Sequence, residues 1–189
     1  MLSCRPDICF CVAYMGRFQE NPTETHWQHL KRIVRYLKGT KNMKLVFSPN
    51  NEIPIFGFAD ADWANDINDR KSVSGYLFKV YGCCVSWSSK KQQTVATSSS
   101  EAEYIALSAA VSEALWLRGL MQDLQEIKNE TVTIYEDNKG CIGMANTSEI
   151  KRAKHIDVKH HFIRDNVAKG YVKIESIRSK DQGLRYQAF

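Results

Sequence analysis

The cysteines lack the spacing of a metal-binding or disulfide framework. Six are present, Cys4, Cys9, Cys11, Cys83, Cys84 and Cys141. No Cys-x-x-Cys pair and no histidines at zinc-ligand spacing accompany them, which argues against zinc and for reduced, partly buried thiols. A run of about 18 apolar residues is also missing, so no spanning helix is expected. Arg5, Pro6 and Asp7 interrupt the first residues, which excludes the pattern of a signal peptide. The chain therefore reads as soluble and intracellular, with no membrane partner and no targeting segment. Internal repeats and low-complexity stretches are absent as well.

What remains is a globular composition. With 43% hydrophobic and 11% aromatic residues, 189 residues suffice for one ordinary domain and a smaller unit. The net charge of +5 is unevenly placed. Residues 1–50 carry eight Lys/Arg against three Asp/Glu, which is +5, while residues 51–189 carry eighteen of each and cancel. Within that neutral part, Asn138 to Lys180 holds ten basic and four acidic residues, a local +6. A basic arm beside an acidic centre is the pattern of a protein that grips phosphates and also holds metal.

Residues 6–47 read as two helices. In the second, Trp27, Leu30, Val34 and Leu37 repeat at helical spacing, Thr23 or Thr25 can cap the start and Gly39 ends it. Lys31, Arg32, Arg35 and Lys38 lie mostly on other faces, as a solvated surface or as phosphate contacts. Ser48-Pro49-Asn50-Asn51 breaks the pattern and marks the boundary. Strand-like runs follow at Ile53–Asp62, Ser72–Val80 and Cys83–Ser88, the last two joined by Tyr81-Gly82 as a tight hairpin. Glu101–Leu124 reads as a long helix, apolar on most sides and largely buried. A fourth strand at Thr131–Glu136, helices at Asn138–Asn146 and Ile156–Ala168, and a fifth strand at Tyr171–Ile177 complete an α/β sheet of mixed direction.

Two carboxylates near the start of the long helix separate by geometry. Ser98 and Glu101 have the Ser-x-x-Glu spacing in which the glutamate bonds back to the cap's own N–H, giving Glu101 a structural task. Glu103 instead heads the stripe Leu107, Ala110, Ala114, Leu117, Met121 that should face the sheet. A carboxylate there is costly without a cation, whether a metal or an ordinary salt-bridge partner. Asp60 shares one face of the first strand with Asp62, and alternation does not choose between them. Asp137 ends the fourth strand, where an aspartate is also a natural N-cap. Carboxylates on two strand ends and one helix start can converge on a hard ion such as Mg²⁺.

The runs FADADWA (58–64), DRKSVSGYLF (69–78), SWSSKKQQTVATSSSEAEYIAL (86–107), YEDNKG (135–140) and RAKHIDVKHHFIRD (152–165) resemble the ribonuclease H region of copia-type retrotransposon Pol polyproteins. RPDICFCVAYMGRF (5–18) and HWQHLKRIVRYLKGT (26–40) resemble the segment that closes the reverse transcriptase before it. The resemblance spans roughly residues 3–182 in order. It implies a ribonuclease H-like mixed five-stranded sheet with flanking helices over 53–182, a small helical segment over 1–50 and an atypical tail over 183–189. It also implies that Asp60, Glu103 and Asp137 are the catalytic metal ligands. The activity implied is hydrolysis of the RNA strand of an RNA·DNA hybrid. Two Mg²⁺ ions about 4 Å apart, or Mn²⁺, would activate water and stabilise the leaving oxygen. Recognition would rest on shape, phosphates and the 2′-hydroxyl, with low sequence specificity. Further partners would be the rest of the Pol polyprotein, in a cytoplasmic virus-like particle.

Arg152, Lys154, His155, Lys159, His161 and Arg164 are the candidate grip on the nucleic-acid backbone. The alternative is a solvated helix with Asp157 and Asp165 paired to neighbours. Lys151 belongs to the same stretch. For His160 and His161 a packing or surface role competes with proton transfer. The chain also departs from the family. After a motif like Lys180-Asp181-Gln182, members continue Leu-Ala-Asp-Ile-Phe-Thr-Lys, whose aspartate is the fourth metal ligand, and then a closing helix. Here Gly183 to Phe189 follow instead, and Asp181 does not substitute. The expectation is a truncated fragment without the closing helix, with weak or lost activity. A non-catalytic nucleic-acid-binding remnant is the alternative. An integrase-like nuclease ranks last, because its final glutamate should lie on a later helix, and neither Glu149 nor Glu175 fits.

Overall fold

In a computed structural model, residues 4–48, 53–66, 68–146 and 154–181 are described, with the backbone alone at 154–157 and 180. They divide after Phe47 into two compact units.

The first unit begins with a 3₁₀ turn, Pro6–Ile8, that runs into helix α1, Cys9–Met15. Helix α2 spans Glu24–Gly39. Of the two candidate caps, Thr23 is the one used. Its hydroxyl accepts from the His26 N–H at 3.4 Å, while its own N–H donates to His26 Nδ1 at 3.0 Å. Histidine thus closes a reciprocal cap that glutamate or glutamine usually closes. The apolar repeat of α2 stays exposed at Trp27, Leu30 and Val34. Arg5 pairs with Asp7 at 2.7 Å and donates to the Thr40 hydroxyl at 2.8 Å, tying the start of this unit to the end of α2.

The second unit is built on five strands, β1 (Ile55–Asp62), β2 (Val73–Val80), β3 (Cys83–Lys91), β4 (Val132–Glu136) and β5 (Val172–Ser176). Their order across the sheet is β3-β2-β1-β4-β5. The first three pair antiparallel, and β4 and β5 add on parallel to β1. This is the expected mixed α/β sheet. Tyr81 and Gly82 both take positive φ, 47° and 84°, the two-residue turn whose twist suits a hairpin. β3 runs three residues beyond the expected Ser88, because Ser89, Lys90 and Lys91 pair with Gly75, Ser74 and Val73 through the backbone. Their polar side chains conceal that pairing.

Helix α3, Ser99–Asp123, lies on one face of the sheet. Leu107, Ala110, Ala114, Leu117 and Met121 are all buried, as the stripe predicts, and join Phe78, Ile134, Val172 and Ile174 in the main core. Helices α4 (Lys139–Asn146) and α5 (Lys154–Ala168) extend that core through Cys141, Ala145 and Ile163. The opposite face carries Phe56, Phe58 and Leu77, with Trp87, Tyr135 and Ile177 packed on them. The rings of Phe58 and Tyr135 lie 5.5 Å apart, so these side chains shield one another. A 3₁₀ turn at Ser179–Asp181 follows β5, and the expected tail at 183–189 lies outside the described residues.

Gly57, at the centre of β1, lies opposite Phe78. A Cβ there would come within 2.4 Å of the Phe78 ring, which is fully buried. Gly57→Ala is expected to cost roughly 1–3 kcal/mol by overpacking. Urea denaturation measures this as a lower midpoint with unchanged slope. A midpoint equal to that of the native chain would show that the ring shifts freely.

Candidate metal centre

The site forms where the end of β1, the start of α3 and the end of β4 meet. β1 and β4 are parallel neighbours, with Phe58 beside Tyr135, so Asp60 and Asp137 leave the sheet at the same end. α3 is fixed against that end by polar ties. Ser98 caps the helix, accepting the Glu101 N–H at 3.2 Å. The Glu101 carboxylate accepts from the Thr97 N–H at 2.7 Å and from the Thr97 hydroxyl. This corrects the expected reciprocal bond to Ser98 by one residue, because the extended Ser98 backbone places the preceding N–H within reach. Buried Gln92, just beyond β3, donates to Ala102 O and to the Ser74 hydroxyl, both at 2.9 Å. The Trp63 indole donates to Ala96 O at 3.2 Å, joining the end of β1 to the segment before α3.

With those elements fixed, one carboxylate oxygen from each of Asp60, Glu103 and Asp137 lies within 4.8 Å of the other two. Asp60 and Asp137 are half-buried and Glu103 is buried. Asp62, which alternation left as the rival to Asp60, is exposed and bonded to the Asn65 side chain. Burial pushes the Glu103 carboxyl up to about 10, with further contributions from the charges of Glu136, Asp60 and Asp137. A hydrogen bond from the Ala61 backbone opposes this. Its Oε2 is buried without a hydrogen-bond partner.

That orphaned oxygen is the test of whether these residues fit a cation. A buried, unpaired carboxylate beside two further carboxylates is unfavourable by itself. A hard divalent ion removes the penalty by taking the oxygens as ligands. The donor set is all oxygen, as such ions require, so the residues fit.

Glu136, to which the sequence reading assigned no role, is fully buried. Burial first, then the charges of Asp137 and Asp60, push its carboxyl up to about 8. Its position was readable: Val132, Ile134 and Glu136 alternate along β4, and all three are buried. Asn138 links the neighbouring elements, its side-chain oxygen accepting from the Ser100 hydroxyl at 3.1 Å and the Cys141 N–H at 2.9 Å.

Of the candidate backbone-binding residues, Arg152 lies outside the described residues. Lys154 and His155 stand on α5, with only their backbone described. Lys159 and Arg164 are half-buried and His161 is exposed on the same helix. His160 is buried, its ring 4.1 Å from that of Tyr104, a packing position. Glu175, weighed in the integrase-like reading, pairs with Lys173 on β5 and is not among the three clustered acids.

No family model matches the chain. It is 41% identical over 182 residues to the retrovirus-related Pol polyprotein from transposon TNT 1-94 of Nicotiana tabacum, covering 96% of this chain and 14% of that polyprotein. It therefore spans about one seventh of the length of that relative. A secreted RxLR effector protein, number 161, of Plasmopara viticola is 51% identical over 117 residues, which is 62% of this chain and 82% of that protein. Among solved structures, the N-terminal RNase H domain of a Mycobacterium tuberculosis protein superposes with a TM-score of 0.51. That match is 11% identical and covers 69% of this chain and 86% of that one, so it bears on fold alone. Residues, topology and relatives agree: the chain belongs to the retrovirus-related Pol polyproteins of copia-type transposons, and its second unit has the ribonuclease H fold.

Proposed function

We propose that the second unit is a ribonuclease H-type site that hydrolyses the RNA strand of an RNA·DNA hybrid, with Asp60, Glu103 and Asp137 as metal ligands. The observation that carries this reading is the meeting of three carboxylates from three elements within 4.8 Å, one of them buried with an orphaned oxygen. Two divalent cations, Mg²⁺ or Mn²⁺, would supply Lewis-acid stabilisation of an in-line displacement at phosphorus. The chain's own residues do the remainder. Asp60 and Asp137, held at neighbouring strand ends, and Glu103, held by the capped start of α3, fix the ligand geometry. Lys154, Lys159 and Arg164 on α5, with Arg152 before it, would bind phosphates irrespective of sequence.

Cleavage by the chain as it stands should be weak. Among the described residues the cluster holds three acids, and the family's aspartate-bearing motif does not follow Gln182. Mg²⁺ demands near-octahedral coordination and suffers most from a missing ligand. The test is cleavage of end-labelled RNA, in a hybrid and single-stranded, with Mg²⁺ and with Mn²⁺. The native chain should cut the hybrid poorly with Mg²⁺ and better with Mn²⁺. Replacing Gly183–Phe189 by the family's aspartate-bearing ending and closing helix should restore Mg²⁺-dependent cutting. No cutting by that form with either ion would leave the nucleic-acid-binding remnant as the reading.

A further inference from the structure

Asn138, the residue after Asp137, is held at three points. Its backbone N–H donates to the Glu136 carboxyl at 3.1 Å, its carbonyl accepts from the Ile142 N–H at 3.0 Å, and its side-chain oxygen accepts from the Cys141 N–H at 2.9 Å. The last of these bonds satisfies the start of α4, the usual task of an asparagine before a helix. That task leaves two features unexplained. The same oxygen accepts a second bond, at 3.1 Å, from the Ser100 hydroxyl on the first turn of α3. Gly140, on the first turn of α4, lies against that bond. A Cβ there would stand 2.5 Å from the Ser100 oxygen, 3.1 Å from the Asn138 oxygen and 3.3 Å from Ser100 Cβ. Gly140 does not take a positive φ, and glycine is unfavourable within a helix, so space rather than backbone freedom accounts for it.

We propose that Ser100, Asn138 and Gly140 form a clasp that sets Glu103 against Asp137, with Ser100 and Asn138 as positioning residues of the metal centre. The inference rests on the reading of Asp60, Glu103 and Asp137 as cation ligands. Ser100 stands one turn before Glu103 on the same side of α3, and Asn138 follows Asp137 in the chain, so the bond between them governs how the two carboxylates lie to one another. Gln92 and Trp63 tie α3 and the segment before it toward β2 and β1. The clasp supplies the tie toward β4, without which α3 can slide or turn and carry Glu103 with it. Gly140 lets α4 come close enough for the Ser100 hydroxyl to reach. No acid takes part in the bond between Ser100 and Asn138, so its removal alters the geometry of the site and leaves its charge unchanged. Mg²⁺ registers such a change most, because it demands near-ideal octahedral coordination, whereas Ca²⁺ accepts a flexible set of oxygens.

The experiment titrates Mg²⁺ and Ca²⁺ separately into the full chain at fixed pH and without nucleic acid. Heat of binding gives the affinity, and the thermal midpoint in chelator reports the fold. Native, Asp60→Asn, Ser100→Ala and Gly140→Ala proteins are compared. The native chain should bind both cations, and Asp60→Asn should bind neither. Ser100→Ala leaves the bond from the Cys141 N–H to Asn138 in place, so its midpoint in chelator should stay near native. Its Mg²⁺ affinity should fall about tenfold, the usual scale for losing a group that orients a metal ligand, while its Ca²⁺ affinity stays within about twofold of native. Gly140→Ala displaces the same hydroxyl with a methyl group and should reproduce that selective loss, which keeps the test open if Ser100→Ala does not fold. Native affinity for both cations in these two variants, or an equal loss of both, would overturn the clasp and leave the three-ligand reading standing. Failure of the native chain to bind either cation would overturn both.

Discussion

Asp137→Asn is expected to reduce Mg²⁺-dependent hybrid cleavage by at least about a hundredfold when introduced into the chain that carries the aspartate-bearing ending. Asparagine keeps the size of the side chain and one acceptor oxygen but removes the charge and half of the ligand capacity. Stabilisation of transition-state charge by a bound metal is worth several kcal/mol, and each 1.36 kcal/mol lost is about a tenfold loss in rate. The fold should survive. Asp137 is half-buried, and its charge is among those that burden Glu103, so its removal relieves the metal-free state. Single-turnover cleavage with saturating enzyme measures the chemical step, and denaturation of the same preparations verifies folding. Asp60→Asn should behave alike. Glu101→Gln is the informative control, since it alters an acid two residues from Glu103 whose carboxylate is engaged by Thr97. Cleavage near native in Glu101→Gln and lost in Asp137→Asn would separate ligand from cap. Near-native cleavage by Asp137→Asn would remove Asp137 from the site.

Those contrasting expectations for Glu101 and Glu103 were already legible in the sequence. A cap spacing assigned one acid to the helix start, and a helical stripe sent the other toward the sheet. The structure moves the cap bond from Ser98 to Thr97 but keeps the distinction. Asp60 and Asp62 were not separable, because a strand end leaves its outer residue free to turn toward solvent. Only the packing of the β1 end against α3 makes one of them converge and the other exposed. Glu136 was missed for a different reason. Its alternation with Val132 and Ile134 predicts burial, but a glutamate at the end of a five-residue strand can equally escape to water. What holds it in is the short α4, which places Cys141 beside it. The end of β3 was hidden because backbone pairing leaves no imprint on polar side chains. The basic stretch was visible as charge, yet charge alone does not distinguish a phosphate contact from a solvated face, and Arg152 lies outside the described residues.

The acids that make the site also set the pH dependence of the metal-free protein. Burial, then neighbouring negative charge, holds the Glu103 carboxyl at about 10 and that of Glu136 at about 8. In the unfolded chain both return to about 4.3. A carboxyl raised by folding contributes stability that is fully present below its unfolded pKa and is lost as pH rises through its folded pKa. Between about pH 5 and 8 the folded state therefore retains protons that the unfolded state has released, and unfolding becomes easier with each pH unit. One such group gives a slope of about 1.4 kcal/mol per unit. The metal-free protein should show at least that slope, so that its stability falls by several kcal/mol across the window. Urea denaturation at constant ionic strength in the presence of chelator measures it. Saturating Mn²⁺ should flatten the dependence, because a bound cation holds the carboxylates ionised in the folded state too and removes the difference in bound protons. Glu103→Gln should flatten it without metal by eliminating one of the two groups. A metal-free stability that does not fall from pH 5 to 8 would show that proton uptake by Glu103 and Glu136 does not govern the stability of the centre.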